Sequence, residues 1–230
     1  SCEEQTIEHN LSFTAGEDSQ STVIRIERPY LWWPAGYGQQ HLYQLDCRLL
    51  SGDEVIDKSQ KKIGIRTVKL NRSPDTHGEK FQFEINSQPI FIKGANWITP
   101  SIFAGSVTSN DYQKLLYAAA DANINMLRVW GGGYYEANKF YELCDRLGIM
   151  VWQDFMFACA YYPDRQWFLT EIRNEAAAII KQLRNHCCLV LWCGNNEIDW
   201  MHRTGKLGKG KKFYGKAIYH QLLPQLVAEL

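Results

Sequence analysis

The 230-residue sequence lacks three features that would each assign it to a broad class. It lacks an excess of charge, since 25 basic and 25 acidic side chains give a formal net charge of zero, so nothing suggests a nucleic-acid partner. It also lacks an apolar run near the ~20 residues that span a bilayer, and it opens with no signal peptide. We therefore expect neither a nucleic-acid nor a membrane partner.

The seven cysteines lack the paired spacing of a disulfide framework or a zinc site. His186, Cys188 and Cys193 bracket one strand and would point in unrelated directions, so we expect no metal and no cofactor. Reduced thiols favour a reducing compartment and thus a cytoplasmic location. Ser1 is not an initiator methionine, however, so a leader could have been removed from a secreted, periplasmic or lysosomal protein.

Residues 1–70 have the pattern of an antiparallel β-sandwich. The predicted strands are Thr22–Ile26, Leu42–Leu50 and Lys61–Leu70, with a turn at Gly52-Asp53. About 70 residues is fewer than the roughly 100 of a complete immunoglobulin-like domain. We therefore predict an immunoglobulin-like domain at 1–70 whose first strand or two lie upstream.

Residues 71–230 alternate strand and helix patterns, which predicts the parallel sheet of a (β/α) barrel. The predicted barrel strands are Ile90–Lys93, Met126–Trp130, Ile149–Gln153 and Leu189–Trp192. Helices are predicted near 111–123, before Gly148, and through 169–183. Four strand–helix units are visible and eight close a barrel, so this region is expected to be the first half of a TIM barrel.

Glu197 is the strongest candidate for a catalytic residue, because it follows the last predicted strand at the end where barrels keep their active sites. A carboxyl group emerging from an apolar, Trp-lined strand loses hydration, which raises its pKa towards that of a general acid. Alternatively, Glu197 simply caps the next helix.

Other strand ends carry Arg128, Trp130 and Asp154, and polar and aromatic groups converging there are typical of a barrel active site. Each has a structural alternative: Arg128 could neutralise a buried carboxylate, and Asp154 could cap a helix or brace a loop. Trp130 could be core, although the three glycines after it open space beside its ring.

Five ordered motifs resemble the β-mannosidases of glycoside hydrolase family 2. They are Leu31–Gly38 (LWWPAGYG), Lys93–Ile98 (KGANWI), Asn125–Gly133 (NMLRVWGGG), Trp152–Cys159 (WQDFMFAC) and Trp192–Glu197 (WCGNNE). The resemblance implies an immunoglobulin-like domain before a catalytic barrel, a β-mannoside substrate, and a retaining mechanism with two carboxylates and no metal. It implies that Glu197 is the general acid/base and that Asn196 hydrogen-bonds the sugar hydroxyl beside the anomeric carbon. It also places Arg128 beside the nucleophile and Trp130 and Asp154 around the sugar.

The nucleophile that the resemblance implies is absent from this chain. Glu229 is the one glutamate after Glu197, and it lies in a helical pattern that Pro224 begins. We therefore expect the 230 residues to be a fragment that is inactive by itself.

Several alternatives stay open. The fragment could come from another family 2 glycosidase, such as an exo-glucosaminidase or an endo-β-mannosidase, or it could be a non-catalytic carbohydrate-binding piece. An unrelated barrel lyase would need a Schiff-base lysine, for which Lys93 is the candidate. The leaving group and the oligomeric state are not determined by the sequence.

Overall fold

The computed structural model describes residues 6–10, 12 and 21–230, and the chain divides into two compact units, residues 1–30 and 31–230. In the first unit, the described residues form no helix or strand, so the strand predicted at Thr22–Ile26 is wrong. Val23 is 85% exposed and Ile24 is 43% exposed. These apolar side chains are therefore not buried against any of the described residues. Cys2 lies outside the described residues.

The second unit begins with antiparallel β structure. β1 (Tyr43–Ser51) and β2 (Glu54–Ile63) form a long hairpin. β3 (Val68–Asn71), β6 (Gln82–Ile85) and β7 (Gln88–Pro89) form a three-stranded sheet, and β4 (Pro74–Asp75) pairs with β5 (Gly78–Glu79). The strand predicted at 42–50 is confirmed, whereas the one predicted at 61–70 is interrupted between β2 and β3. The predicted domain boundary at residue 70 stays a prediction.

The interruption between β2 and β3 allows Arg66 to leave the β structure. Its Nε donates to the Cys187 carbonyl (2.9 Å) and its Nη2 to the Leu189 carbonyl (2.5 Å). Hydrogen bonds from a charged guanidinium are stronger than those from a neutral donor. These contacts tie the β-rich region to the last strand of the parallel sheet.

The rest of the unit is a four-stranded parallel sheet with helical crossovers. Its strands are β8 (Gly94–Trp97), β9 (Met126–Val129), β10 (Met150–Asp154) and β11 (Leu189–Cys193), in the spatial order β11-β10-β9-β8. The crossover helices are α1 (Ser109–Asp121), α2 (Asn138–Leu147) and α3 (Gln166–Leu183). α4 (Ile198–Arg203), a π-helix (Ile218–Leu222) and α5 (Leu223–Glu229) follow. Consecutive parallel strands that lie side by side are the arrangement of half a (β/α)8 barrel, as predicted.

The first barrel strand lies four residues later than predicted, at Gly94–Trp97 instead of Ile90–Lys93. The reason is Asn125: its Oδ1 accepts from the Lys93 N–H (2.9 Å) and its Nδ2 donates to the Phe91 carbonyl (2.9 Å). The Asn125 side chain thus takes the Phe91 carbonyl and the Lys93 N–H, and before Gly94 the main-chain contact to this segment is the Lys93 carbonyl, which accepts from the Asn125 N–H (2.8 Å). Lys93 consequently precedes the strand, at the end opposite a barrel's active site, which argues against the lyase alternative.

Apolar side chains on the helices determine how they cover the sheet. α2 buries Phe140, Leu143 and Cys144 and ends at Gly148, whose φ of 72° is the left-handed conformation that favours glycine. α1 begins with a capping box in which Thr108 and Asp111 satisfy each other's backbone N–H groups. None of the helices in the described part of the chain combines the length and the hydropathy of a membrane-spanning helix.

Candidate active site

Polar side chains from three strands meet at the carboxyl end of the parallel sheet, and Arg128 of β9 is at their centre. Its Nε and Nη2 donate to the two oxygens of Asp154 at 3.1 and 2.7 Å. Nη2 also donates to Asn196 Oδ1 (2.9 Å), and Nη1 donates to Asn96 Oδ1 (3.2 Å). Arg128 therefore fixes residues from β8, β10 and the segment after β11 relative to one another.

Asp154 is fully buried, and its carboxylate is fully engaged. Besides the bidentate pair with Arg128, it accepts from the Trp152 indole N–H (3.0 Å) and the Gly131 backbone N–H (3.1 Å). Four donors occupy the acceptor positions of one carboxylate, so no oxygen faces open space. In this structure Asp154 braces Arg128 and the loop at Gly131. Its predicted position around the sugar stays a prediction.

Glu197 lies four residues beyond the end of β11, at the start of α4, in the left-handed conformation with a φ of 63°. A glutamate in this conformation carries backbone strain, which native structures retain mainly at functional sites. Its side chain does not cap α4; Asn195 does, because its Oδ1 accepts from the Ile198 N–H (2.9 Å). The side chain of Glu197 is exposed, so the loss of hydration expected from the sequence is not provided by the described residues.

Asn196 is buried, and both ends of its amide have partners. Oδ1 accepts from Arg128, and Nδ2 donates to Cys159 Sγ at 3.3 Å. Backbone hydrogen bonds from Asn196 N to the Phe157 carbonyl (2.8 Å) and from Cys159 N to the Asn196 carbonyl (3.2 Å) hold the two segments together. The amide therefore has one fixed orientation.

Trp130 is half-buried and lines a cavity of about 390 Å³ beside these groups. The cavity is also lined by Gly131, Gly132, Gly133, Met156, Ala158, Cys159 and Tyr162. A Cβ atom on Gly132 would lie 2.0 Å from Cη2 of the Trp130 ring. The glycine turn thus lets the indole lie against the backbone. The predicted role of Trp130 around the sugar stays a prediction.

We expect Gly132→Ala to displace the Trp130 ring and so to weaken binding in this cavity. The added methyl group cannot be accommodated at 2.0 Å, and the partly exposed ring can move more easily than the backbone. In the full-length protein, the expected result is an increase in KM of about tenfold, on the order of 1.4 kcal/mol, with a smaller effect on the melting temperature. Gly105→Ala is the matched control, since a Cβ there meets no atom within 4 Å. Equal effects of the two substitutions would contradict this role of Gly132.

Two residues of this site were not identified from the sequence. Trp152 donates to Asp154, and its ring lies under the Arg128 guanidinium, 5.6 Å from centroid to Cζ. Cys159 contacts Asn196 and lies 4.0 Å from the Glu197 carboxylate. Both belong to the WQDFMFAC motif, and their position around the end of β10 was the available signal.

The residues considered for a metal do not form a coordination site. Among the described residues, Asp145, His186 and Cys188 bring three ligand types within 4.8 Å of one another, whereas Cys193 lies at the other end of β11. The Asp145 Oδ2 to His186 Nδ1 distance of 2.6 Å is a hydrogen bond. Two ligands on one tetrahedral metal would be roughly 3.3 Å apart, given bonds of about 2 Å. Asp145 Oδ1 also accepts from the Cys188 N–H (2.8 Å), so the cluster is hydrogen-bonded internally.

The six described cysteines are free, and three of them are buried: Cys144, Cys187 and Cys188. Burial raises the pKa of each of these three thiols, with neighbouring Asp145 adding to the effect. They are therefore protonated and unreactive at neutral pH. Cys159, by contrast, is exposed in the candidate site.

Family models agree with this architecture. The model described as glycosyl hydrolases family 2 matches residues 2–66, and the model of the TIM barrel domain of glycosyl hydrolases family 2 matches residues 79–221. The chain belongs to glycosyl hydrolase family 2. The predicted fold class, a β-domain followed by part of a TIM barrel, and the predicted family are thereby confirmed.

The most similar proteins include β-mannosidases. β-Mannosidase B of Aspergillus clavatus is 36% identical over 228 residues, which are 94% of this chain and 27% of that protein. The β-mannosidase of Capra hircus is 43% identical over 195 residues, 82% of this chain and 22% of that protein. The crystal structure of β-D-mannosidase from Dictyoglomus thermophilum matches with a TM-score of 0.87 and 52% identity, covering 89% of this chain and 25% of that one. The chain thus spans about a quarter of the length of these relatives.

Proposed function

We propose that the protein carrying this chain is a retaining exo-β-mannosidase, which hydrolyses terminal β-D-mannose from oligosaccharides or glycoconjugates. The 52% identity to a β-D-mannosidase of known structure and the β-mannosidases among the curated relatives support this substrate class. The observation that carries the chemistry is the exposed carboxyl group of Glu197, at the carboxyl end of β11 beside the fixed amide of Asn196. Barrel enzymes use this end of the sheet for catalysis.

Glu197 would act first as the general acid and then as the general base. It would protonate the glycosidic oxygen as the bond breaks, and it would later remove a proton from the water that releases the mannose. A carboxyl group can perform both steps only if an oxygen can reach the substrate, and in this chain Asn195, not Glu197, caps α4. Glu197 is therefore available to a substrate.

Asn196 and Arg128 would prepare the site for charge that develops on the sugar. Asn196 would hydrogen-bond the hydroxyl beside the anomeric carbon, an interaction that strengthens as the ring becomes oxocarbenium-like. Arg128 would hold Asn196 in place and keep the region electropositive for a nucleophilic carboxylate. Trp130, at the edge of the cavity, would stack against the apolar face of the mannose ring.

A retaining mechanism needs a second carboxyl group about 5 to 5.5 Å from the first. Within the 230 residues, the later glutamate is Glu229, which is exposed on α5. We propose that the nucleophile comes from the part of the protein that corresponds to the remaining three quarters of the relatives. A strand-end glutamate roughly a hundred residues beyond Glu197 would complete the pair.

A panel of 4-nitrophenyl β-glycosides tests the substrate class in the full-length protein. We expect β-mannoside to be hydrolysed with a kcat/KM at least about a hundredfold above those of β-glucosaminide, β-glucuronide and β-galactoside, a difference near 2.7 kcal/mol in transition-state binding. NMR of the first product should show β-mannose, because the mechanism retains configuration. Preference for β-glucosaminide would favour the exo-glucosaminidase alternative, and α-mannose as first product would exclude retention.

A further inference from the structure

Cys159 occupies an unusual position next to the proposed acid/base. It has a left-handed φ of 55°, it is exposed, and its side chain lines the same cavity as Trp130. Its Sγ lies 3.3 Å from Asn196 Nδ2 and 4.0 Å from Glu197 Oε2. One thiol therefore lies beside two of the residues to which the proposed function gives roles, Asn196 and Glu197.

The hydrogen bonds at Asn196 determine which way its amide points. Arg128 is only a donor, so the atom of Asn196 that faces its Nη2 must be the carbonyl oxygen. The amide nitrogen therefore faces Cys159, whose sulfur can accept a weak hydrogen bond. One N–H of Asn196 is directed at the sulfur, and among the described residues the other has no hydrogen-bond partner.

The thiol hydrogen has the Glu197 carboxylate as its acceptor. At 4.0 Å the S···O separation is at the long end for a sulfur hydrogen bond, and Glu197 Oε2 is the acceptor oxygen on that side. A thiol that accepts from Asn196 and donates to Glu197 links the two groups in a chain. The two left-handed residues, Cys159 and Glu197, bring their side chains together although 38 residues separate them.

We propose that Cys159 is a positioning residue of the site, which orients the Asn196 amide towards the sugar and restrains the carboxyl group of Glu197 near the glycosidic oxygen. This rests on the proposed function. Serine preserves both a donor and an acceptor at this position, whereas alanine removes both. Both hydrogen bonds involve sulfur and are weak, so we expect their combined loss in the alanine variant to be comparable with that of one ordinary hydrogen bond, about three- to tenfold in rate.

Cys159→Ala and Cys159→Ser in the full-length protein test the proposal, with Cys47→Ala as the matched control on the exposed hairpin strand β1. On activated aryl mannosides, Cys159→Ala should lower kcat three- to tenfold with little change in KM, because Asn196 acts mainly in the transition state. On alkyl mannosides, which need protonation, the loss should be larger. Cys159→Ser should recover most of the rate, and Cys47→Ala should match wild type.

The proposal would be overturned if Cys159→Ala had the same kcat, the same KM and the same dependence on the leaving group as the wild-type protein. Equal losses in the Ala and Ser variants would also overturn it, because a purely steric role does not distinguish them by hydrogen bonding. Rates are compared with wild type on whichever aryl glycoside the enzyme turns over best. A failure of the mannoside assignment would thus leave this comparison intact.

Methyl methanethiosulfonate provides a second measurement, because it modifies Cys159 in the folded protein and does not depend on the folding of a variant at this position. The Cys159 thiolate attacks the reagent, an S–S bond to a methylthio group forms, and methanesulfinate leaves. In a Cys47→Ser background, modification of Cys159 should remove most of the activity, and a reducing agent should restore the activity. A competitive sugar inhibitor should slow the modification. The Cys159→Ser protein should be unaffected by the reagent. Full activity after capping of Cys159, verified by mass spectrometry, would contradict the proposal.

Discussion

Glu197→Gln in the full-length protein is expected to lower hydrolysis of substrates with poor leaving groups by about 10² to 10⁴-fold, the usual contribution of general acid–base catalysis. Glutamine keeps the size and polarity of the side chain but cannot donate a proton to the departing oxygen. Activated aryl mannosides, which leave without protonation, should still form the covalent intermediate. A burst of released phenol followed by slow turnover is the kinetic signature.

Azide should rescue this variant, because it attacks the intermediate without a general base. The product should be β-mannosyl azide, since two inversions at the anomeric carbon retain its configuration. Glu171→Gln, on the exposed part of α3, is the matched control and should behave as wild type. Equal loss on good and poor leaving groups, without rescue or a burst, would assign Glu197 to a nucleophilic or structural role instead.

The parallel sheet could be predicted from the sequence because its central strands, β9 and β10, are largely buried and the helices between the strands are periodic. The starts of β9 and β11 agree with the predicted starts, and that of β10 lies within one residue. The first strand could not be located in this way. Residues 90–93 and 94–97 are both compatible with a strand, and the choice depends on the Asn125 side chain, which contacts residues more than 30 positions away.

The part of the candidate site that could be predicted is the part that the order and direction of the parallel strands determine. Parallel strands end at the same edge of a sheet, so Arg128, Asp154 and Asn196 had to lie close together. The sequence did not reveal that Asp154 would be enclosed by four donors, nor that Glu197 would be exposed. Both depend on how loops pack after the strands. The contact of Cys159 with Asn196 likewise depends on a loop that folds back through two left-handed residues.

The ion pair between Arg128 and Asp154 should have the largest effect on stability among the groups of the site. Asp154 is fully buried and Arg128 is 25% exposed, with a 2.7 Å contact between Nη2 and Oδ2. Removing one partner of such a pair leaves an uncompensated charge, at a cost of about 3 kcal/mol, the lower end of the usual range because Arg128 retains some solvent. We expect Asp154→Asn to lower the melting temperature of the full-length protein by several degrees and to reduce kcat/KM at least a hundredfold.

The exposed pair of Arg72 and Glu79 is the matched control, because its contact is also 2.7 Å but both side chains are more than half exposed. Glu79→Gln should change stability by less than about 1 kcal/mol. The double variant Arg128→Met/Asp154→Asn separates stability from function: methionine removes the unpaired charge, and asparagine still accepts from Trp152 or Gly131. Its melting temperature should recover most of the loss while its activity stays low, since Asn196 has lost the donor that fixes it. If activity recovers together with stability, Arg128 acts on the fold alone, and its proposed role in orienting Asn196 is wrong.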